Sequence, residues 1–136
     1  AVNVTDYIGT EGTVRTNLLD LVTAYTAGSL TVALNGDYNT FKQSGVVDTK
    51  TAGVALYGNY QITPVYNAGV RAEFVQQKDN ISDSTLNRKE ITLSGGYAAT
   101  KNFNLVTDVR YARITPSGSS DVGTQTTAVL KAIYKF

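Results

Sequence analysis

The side chains that could do chemistry in this chain are mostly charged ones set two residues apart. Arg71 and Glu73 form one such couple and Asp108 and Arg110 another, with Asp20, Asp37, Glu90, Lys131 and Lys135 on similar stretches. Residues i and i+2 share one face of an extended strand, so this spacing lines up acids and bases in a ladder. The ladder mixes the two signs in near balance, which suits a confined polar interior where an unpaired charge is costly. It suits catalysis poorly. The chain contains no His and no Cys, which removes the commonest general base, the thiol nucleophile and the commonest transition-metal ligands. Asp79, Asp83 and Glu90 lie near one another in sequence, but their spacing fits no calcium loop and no acid/base template. Asn3-Val4-Thr5 and Asn80-Ile81-Ser82 match a glycosylation sequon, a pattern that recurs by chance. The expectation is a non-enzyme with no cofactor, no metal and no catalytic residue. A formal net charge of +1 gives no electrostatic case for nucleic acid.

The elements that must position the ladder are strands. Tyr, Thr, Val, Gly and Asn are abundant, and only two residues are Pro. The one helical candidate, Thr16–Ala27, is interrupted by polar residues and reads equally as a strand. Strict period two is clearest at the C-terminal end. Ala128, Leu130, Ala132, Tyr134 and Phe136 make an uncharged face, against Thr127, Val129, Lys131, Ile133 and Lys135. The same alternation predicts strands over about Ala1–Ile8, Val14–Thr26, Ser29–Phe41, Thr51–Ile62, Val65–Gln77, Lys89–Thr100, Phe103–Thr115 and Thr126–Phe136. Asn35-Gly36 is a hairpin-turn dipeptide, but the alternation passes through it in phase, so the strand is read as continuous.

Gly9–Gly12 reads as a loop. Short turns fall at Ala27-Gly28, Thr63-Pro64 and Lys101-Asn102. Long polar loops fall at Lys42–Lys50, Lys78–Arg88 and Pro116–Thr124. This parity matches outer-membrane barrels, which have short turns on one side and long loops on the other. No apolar run approaches the ~20 residues of a spanning helix, a test to which barrel strands are invisible. The chain opens on Ala1 without an initiator Met, which suggests a processed chain. The 136 residues are expected to form a single domain, 1–136: an all-β, eight-stranded antiparallel up-and-down transmembrane β-barrel.

The aromatics strengthen this expectation. Tyr25, Tyr38, Tyr60, Tyr66, Phe74, Tyr97, Phe103, Tyr111, Tyr134 and Phe136 fall near the ends of the uncharged faces. Tyr66 and Phe74 are eight residues apart, as are Phe103 and Tyr111. At ~3.3 Å per residue and a tilt near ~40°, that is roughly 20 Å along a membrane normal, which suits two aromatic girdles around an apolar band.

Several stretches resemble the OmpL-like β-barrel porins. They are the hairpin Thr16–Thr26 with Leu30–Tyr38, the strand Ala68–Phe74, Val109-Arg110-Tyr111, and the closing Ala132-Ile133-Tyr134-Lys135-Phe136. That last segment looks like the terminal strand by which barrel-assembly machinery reads its clients. The resemblance maps onto the C-terminal part of a family whose members are usually longer. It implies a bacterial outer-membrane location and a lipid environment.

Three functions follow from the expected fold. The first is a small closed barrel similar to the OmpA and OmpX types. Its lumen would be filled by side chains such as Tyr57, Asn59, Arg71, Glu73, Asp108, Arg110 and Lys131, and its function would be carried by the surface loops. The second is a porin-type diffusion channel, with the chain as part or relative of a wider barrel. The third is a soluble β-barrel holding a small apolar ligand, which requires the apolar faces to point inward. Lys42, Lys50, Arg88 and Lys89 sit where strands meet the long loops, and could touch lipopolysaccharide phosphates.

Overall fold

A computed structural model describes residues 1–118 and 122–135, apart from the side chain at position 47. It consists of eight strands in one antiparallel sheet in sequence order. They are β1 (Val2–Glu11), β2 (Val14–Ala27), β3 (Leu30–Gln43), β4 (Val47–Gln61), β5 (Tyr66–Asp79), β6 (Ser84–Ala98), β7 (Phe103–Pro116) and β8 (Gly123–Tyr134). The expected strand number and up-and-down order are both present. The ring, however, is not closed: β1 pairs only with β2 and β8 only with β7 among the described residues.

Asn35 and Gly36 lie inside β3, opposite Val22 and Leu21. In-phase alternation on both sides of the dipeptide outweighs its turn preference.

The strands are longer than the alternation suggested. Gly9, Thr10 and Glu11 belong to β1, and the turn is only 12–13. The three expected long loops shrink to connections at 44–46, 80–83 and 117–122. The polar residues flanking them continue the hydrogen-bond ladder, which needs backbone groups rather than apolar side chains. Gly12 and Gly28 open two-residue turns with φ of 61° and 59°, the left-handed conformation that tight hairpins favour.

The sheet is one layer thick. Among the described residues only Ala55, Ala112 and Glu90 are buried, and all three lie on the polar face. Crowding on that face makes it the concave one. The opposite face carries Leu19, Leu34, Leu56, Val70, Leu93 and Leu130, all exposed, with Leu130 at 74 %. A contiguous apolar face of this kind is covered by no other element among the described residues and suits a nonaqueous surrounding. The soluble-barrel expectation needs the reverse orientation.

The hairpin tip between β5 and β6 is closed by Asp79. Its carboxylate accepts a bond from the Ser82 hydroxyl at 2.7 Å and from the Ile81 N–H at 2.9 Å. The Ser82 bond first, then the Ile81 bond, holds this carboxyl below the usual aspartate range. Asp79 stands five residues beyond Phe74, outside the apolar band. A depressed folded pKa gives stabilisation that is complete above the unfolded value and is lost as pH falls through the folded one. Acidifying below about pH 4 is therefore expected to raise the exchange rate of the Ile81 amide beyond the intrinsic trend. Asp79→Asn should remove that extra pH dependence.

Candidate functional site

The concave wall is built by the alternate residues of β2–β8. Hydrogen-bonded register sets Ala33, Tyr57, Arg71, Thr92, Arg110 and Thr127 in one row. The next row toward the long hairpins holds Asn35, Ala55, Glu73, Glu90 and Ala112. An arginine row thus lies against a glutamate row.

Arg71 pairs with Glu73, and Arg88 with Glu90. Arg110 Nε stands 3.9 Å from Glu90, and Lys131 Nζ donates to Asp108 at 2.8 Å. Arg71 also lies 5.7 Å from the ring centre of Tyr57, within cation–π range. Glu90 is the hub: its side chain is 1 % exposed and also accepts from the Thr92 hydroxyl at 3.4 Å. A carboxylate this buried is tolerable only because cations and a hydroxyl surround it.

At the other side of the wall the balance changes. Asp20 and Asp37 face each other across β2 and β3. Their visible mediator is Asn35, whose amide donates to Asp20 at 2.5 Å and lies 3.4 Å from Asp37. The wall therefore carries acid at β2–β3 and a mixed, cation-rich ladder at β5–β8. Most of these acids already have a cation or amide, so the array offers fixed charge rather than an acid and base poised around a substrate.

Of the expected lumen residues, Asp20, Asp37, Arg71, Glu73, Glu90, Asp108, Arg110 and Lys131 all lie on this face. Lys135 lies one residue past the end of β8, and its backbone N–H donates to the Asn102 carbonyl in the β7–β8 register, so it keeps the parity of Lys131. Arg88, expected as the last residue of the long loop Lys78–Arg88, is a strand residue instead. It belongs to the wall, beside Glu90, because β6 begins at Ser84 and position 88 keeps the parity of 90.

The expected girdle residues Tyr25, Tyr38, Tyr60, Tyr66, Phe74, Tyr97, Phe103, Tyr111 and Tyr134 all fall on the convex face, and Phe136 lies outside the described residues. They form two lines. On the first, Tyr38 faces Ala52 and then Gln76, two residues from Phe74. Phe74 faces Lys89 and then Arg113, two residues from Tyr111. The line drifts two residues for every two strands. On the second, Tyr25, Tyr60, Tyr66, Tyr97, Phe103 and Tyr134 drift six residues across the six steps from β2 to β8. One residue per strand is ~3.3 Å against ~4.8 Å, so both lines are level only when the strands tilt by ~35°. That is the tilt of membrane barrels. Tyr66 and Tyr97 stack at 4.8 Å on the second line.

The two lines also restore the side-to-side asymmetry. Tyr60 and Tyr66, and likewise Tyr97 and Phe103, are separated by only a tight turn. On the other side each of Tyr38, Phe74 and Tyr111 is followed by five more strand residues, to Gln43, Asp79 and Pro116. The long outer segments are paired strands rather than loops.

An apolar convex face, two level aromatic lines and a charged concave wall together define the protein as an outer-membrane β-barrel. The match of residues 2–136 to the family described as "Putative beta-barrel porin-2, OmpL-like" places the chain in that family. Solved structures of OmpT, an outer membrane protein of Vibrio cholerae, share the fold. Its loop L8 deletion mutant superposes with a TM-score of 0.77 at 17% identity, over 96% of this chain and 51% of that one. Outer-membrane expressed OmpT gives 0.75 at 16% identity, over 96% and 49%. The chain spans about half the length of these structures. No curated protein matches it.

Proposed function

We propose that this chain forms part of the wall of a wider porin-type barrel, and that its concave face lines a water-filled diffusion path. The observation that carries this reading is the pair of bare edges at β1 and β8. Unpaired backbone groups are too costly to leave in lipid, so further strands must cover both edges. A side-chain-filled lumen depends on eight strands closing on themselves, and the open sheet favours the channel instead. The reading is non-enzymatic. Weak ion preference follows from the near balance of the wall, where Asp20, Asp37, Glu73, Glu90 and Asp108 stand against Arg71, Arg88, Arg110 and Lys131.

The test is single-channel recording in planar bilayers with the whole natural polypeptide folded in detergent. The expected result is discrete, long-lived conductance steps with little cation or anion selectivity, shifted toward anions by Asp20→Asn with Asp37→Asn. Heat-modifiable, fully folded protein that gives no steps would overturn the channel and favour a sealed ring.

A further inference from the structure

We propose that the convex face binds the phosphates of a phosphorylated outer-leaflet glycolipid through three facing pairs of cations. Direct cross-strand register sets Arg15 opposite Lys42, Lys50 opposite Lys78, and Lys89 opposite Arg113. Half of the twelve Lys and Arg residues are thus in like-charge pairs. Facing like charges destabilise a sheet, and their side chains are only about 5 Å apart at Cβ. Here the arrangement occurs three times, once on each of β2–β3, β4–β5 and β6–β7.

All six side chains point to the lipid side, are exposed, and lie beyond the aromatic line of the long-hairpin end. Lys42 and Lys78 stand four residues beyond Tyr38 and Phe74, and Arg113 two beyond Tyr111. The row slants more steeply than the aromatics, six residues over the four strands from the first pair to the third, so at ~35° of tilt the third pair sits roughly 5 Å nearer the apolar band than the first, still beyond the aromatic line. Three of the six have acids nearby: Lys42 is 3.5 Å from Asp48, Lys78 is 3.4 Å from Asp83, and Lys50 acts on Asp48 at longer range. Arg15, Lys50, Lys89 and Arg113 have no ion pair or hydrogen bond among the described residues.

The β6–β7 pair is the most developed of the three. Lys89, Arg113, Asn87, Thr115 and Phe74 line a cavity of about 390 Å³ on the convex face. It offers two cations for a phosphate, an amide and a hydroxyl for sugar oxygens, and an aromatic edge facing the acyl region. A phosphate between Lys89 and Arg113 would turn their repulsion into two charge-assisted bonds. Neighbouring pairs are two strands and two or four residues apart, roughly 12 Å and 16 Å, so a glycolipid carrying more than one phosphate can bridge the nearer two. This inference uses the membrane orientation but not the pore, so channel activity and lipid binding can fail separately.

The test uses the whole natural polypeptide, purified in detergent and incubated with bisphosphorylated lipid A, with retained lipid read by native mass spectrometry. Wild-type protein is expected to keep lipid A through repeated detergent exchange and to lose at least tenfold occupancy as Lys89→Gln with Arg113→Gln. Lys101→Gln, at the short-turn end, should keep wild-type occupancy and controls for bulk charge. Dephosphorylated lipid A should bind poorly. Unboiled gel mobility confirms that each variant is folded. Equal retention by the double variant, equal retention of the dephosphorylated lipid, or displacement by inorganic phosphate at concentrations near that of the lipid would each overturn the proposal. The last outcome would make the pair a free-anion site.

Discussion

Leu93→Arg is expected to cost about 2–4 kcal/mol of folding stability in lipid, whereas Ser94→Arg, one residue away, should cost less than about 1 kcal/mol. Leu93 points outward from the middle of the apolar band, four residues from Tyr97, and faces Val70 and Val109. An arginine there must stay charged in hydrocarbon or draw water into it. Ser94 points to the concave wall, opposite Gly69 and Asp108. A new guanidinium there has the Asp108 carboxylate on one side and, on the other, Gly69 with the polar Asn59 amide above it. Urea titration in vesicles, followed by unboiled gel mobility, gives both numbers. The fluorescence route is weak because the chain has no Trp. Equal costs at the two positions would contradict the assignment of faces. In bilayers, Ser94→Arg should also move selectivity toward anions, and Leu93→Arg should not.

Glu90→Ala is the second large effect. The glutamate is the buried centre of the wall, and its loss leaves Arg88 and Arg110 near one another with no shared counter-charge. Removing one partner of a buried ion pair typically costs about 3–5 kcal/mol. Arg88 and Arg110 are themselves 38% and 40% exposed, so water recovers part of the loss. About 2–3 kcal/mol is expected after that discount. Glu90→Gln should lie between, since it keeps an acceptor but not the charge. Glu73→Ala is a useful comparison. It removes the carboxylate paired with Arg71, which retains the Tyr57 ring, and it should cost less. A Glu90→Ala protein as stable as wild type would show that the ladder is a solvated surface. It would not be the organising element of the wall.

Much of this architecture is legible in the sequence, because a membrane strand states its two faces residue by residue. Period-two alternation locates eight strands, assigns the charged side chains to one face, and separates Tyr66 from Phe74 and Phe103 from Tyr111 by one membrane thickness. It also outweighs the local turn preference of Asn35-Gly36. These features depend only on which residues are two apart, and that relation survives any tertiary arrangement.

Other features depend on how the strands sit beside one another. The strand ends at Gln43, Asp79 and Ser84 were hidden because polar hairpins outside the apolar band pair through backbone groups alone. Arg88, expected in the loop, joins the concave wall for the same reason. Which face is concave is set by crowding around Ala55, Ala112 and Glu90, and whether eight strands close is set by curvature summed over the sheet. Neither is local. The facing pairs Arg15–Lys42, Lys50–Lys78 and Lys89–Arg113 join residues 24 to 28 positions apart. Alternation shows that each cation faces lipid, but only register shows that each faces another cation.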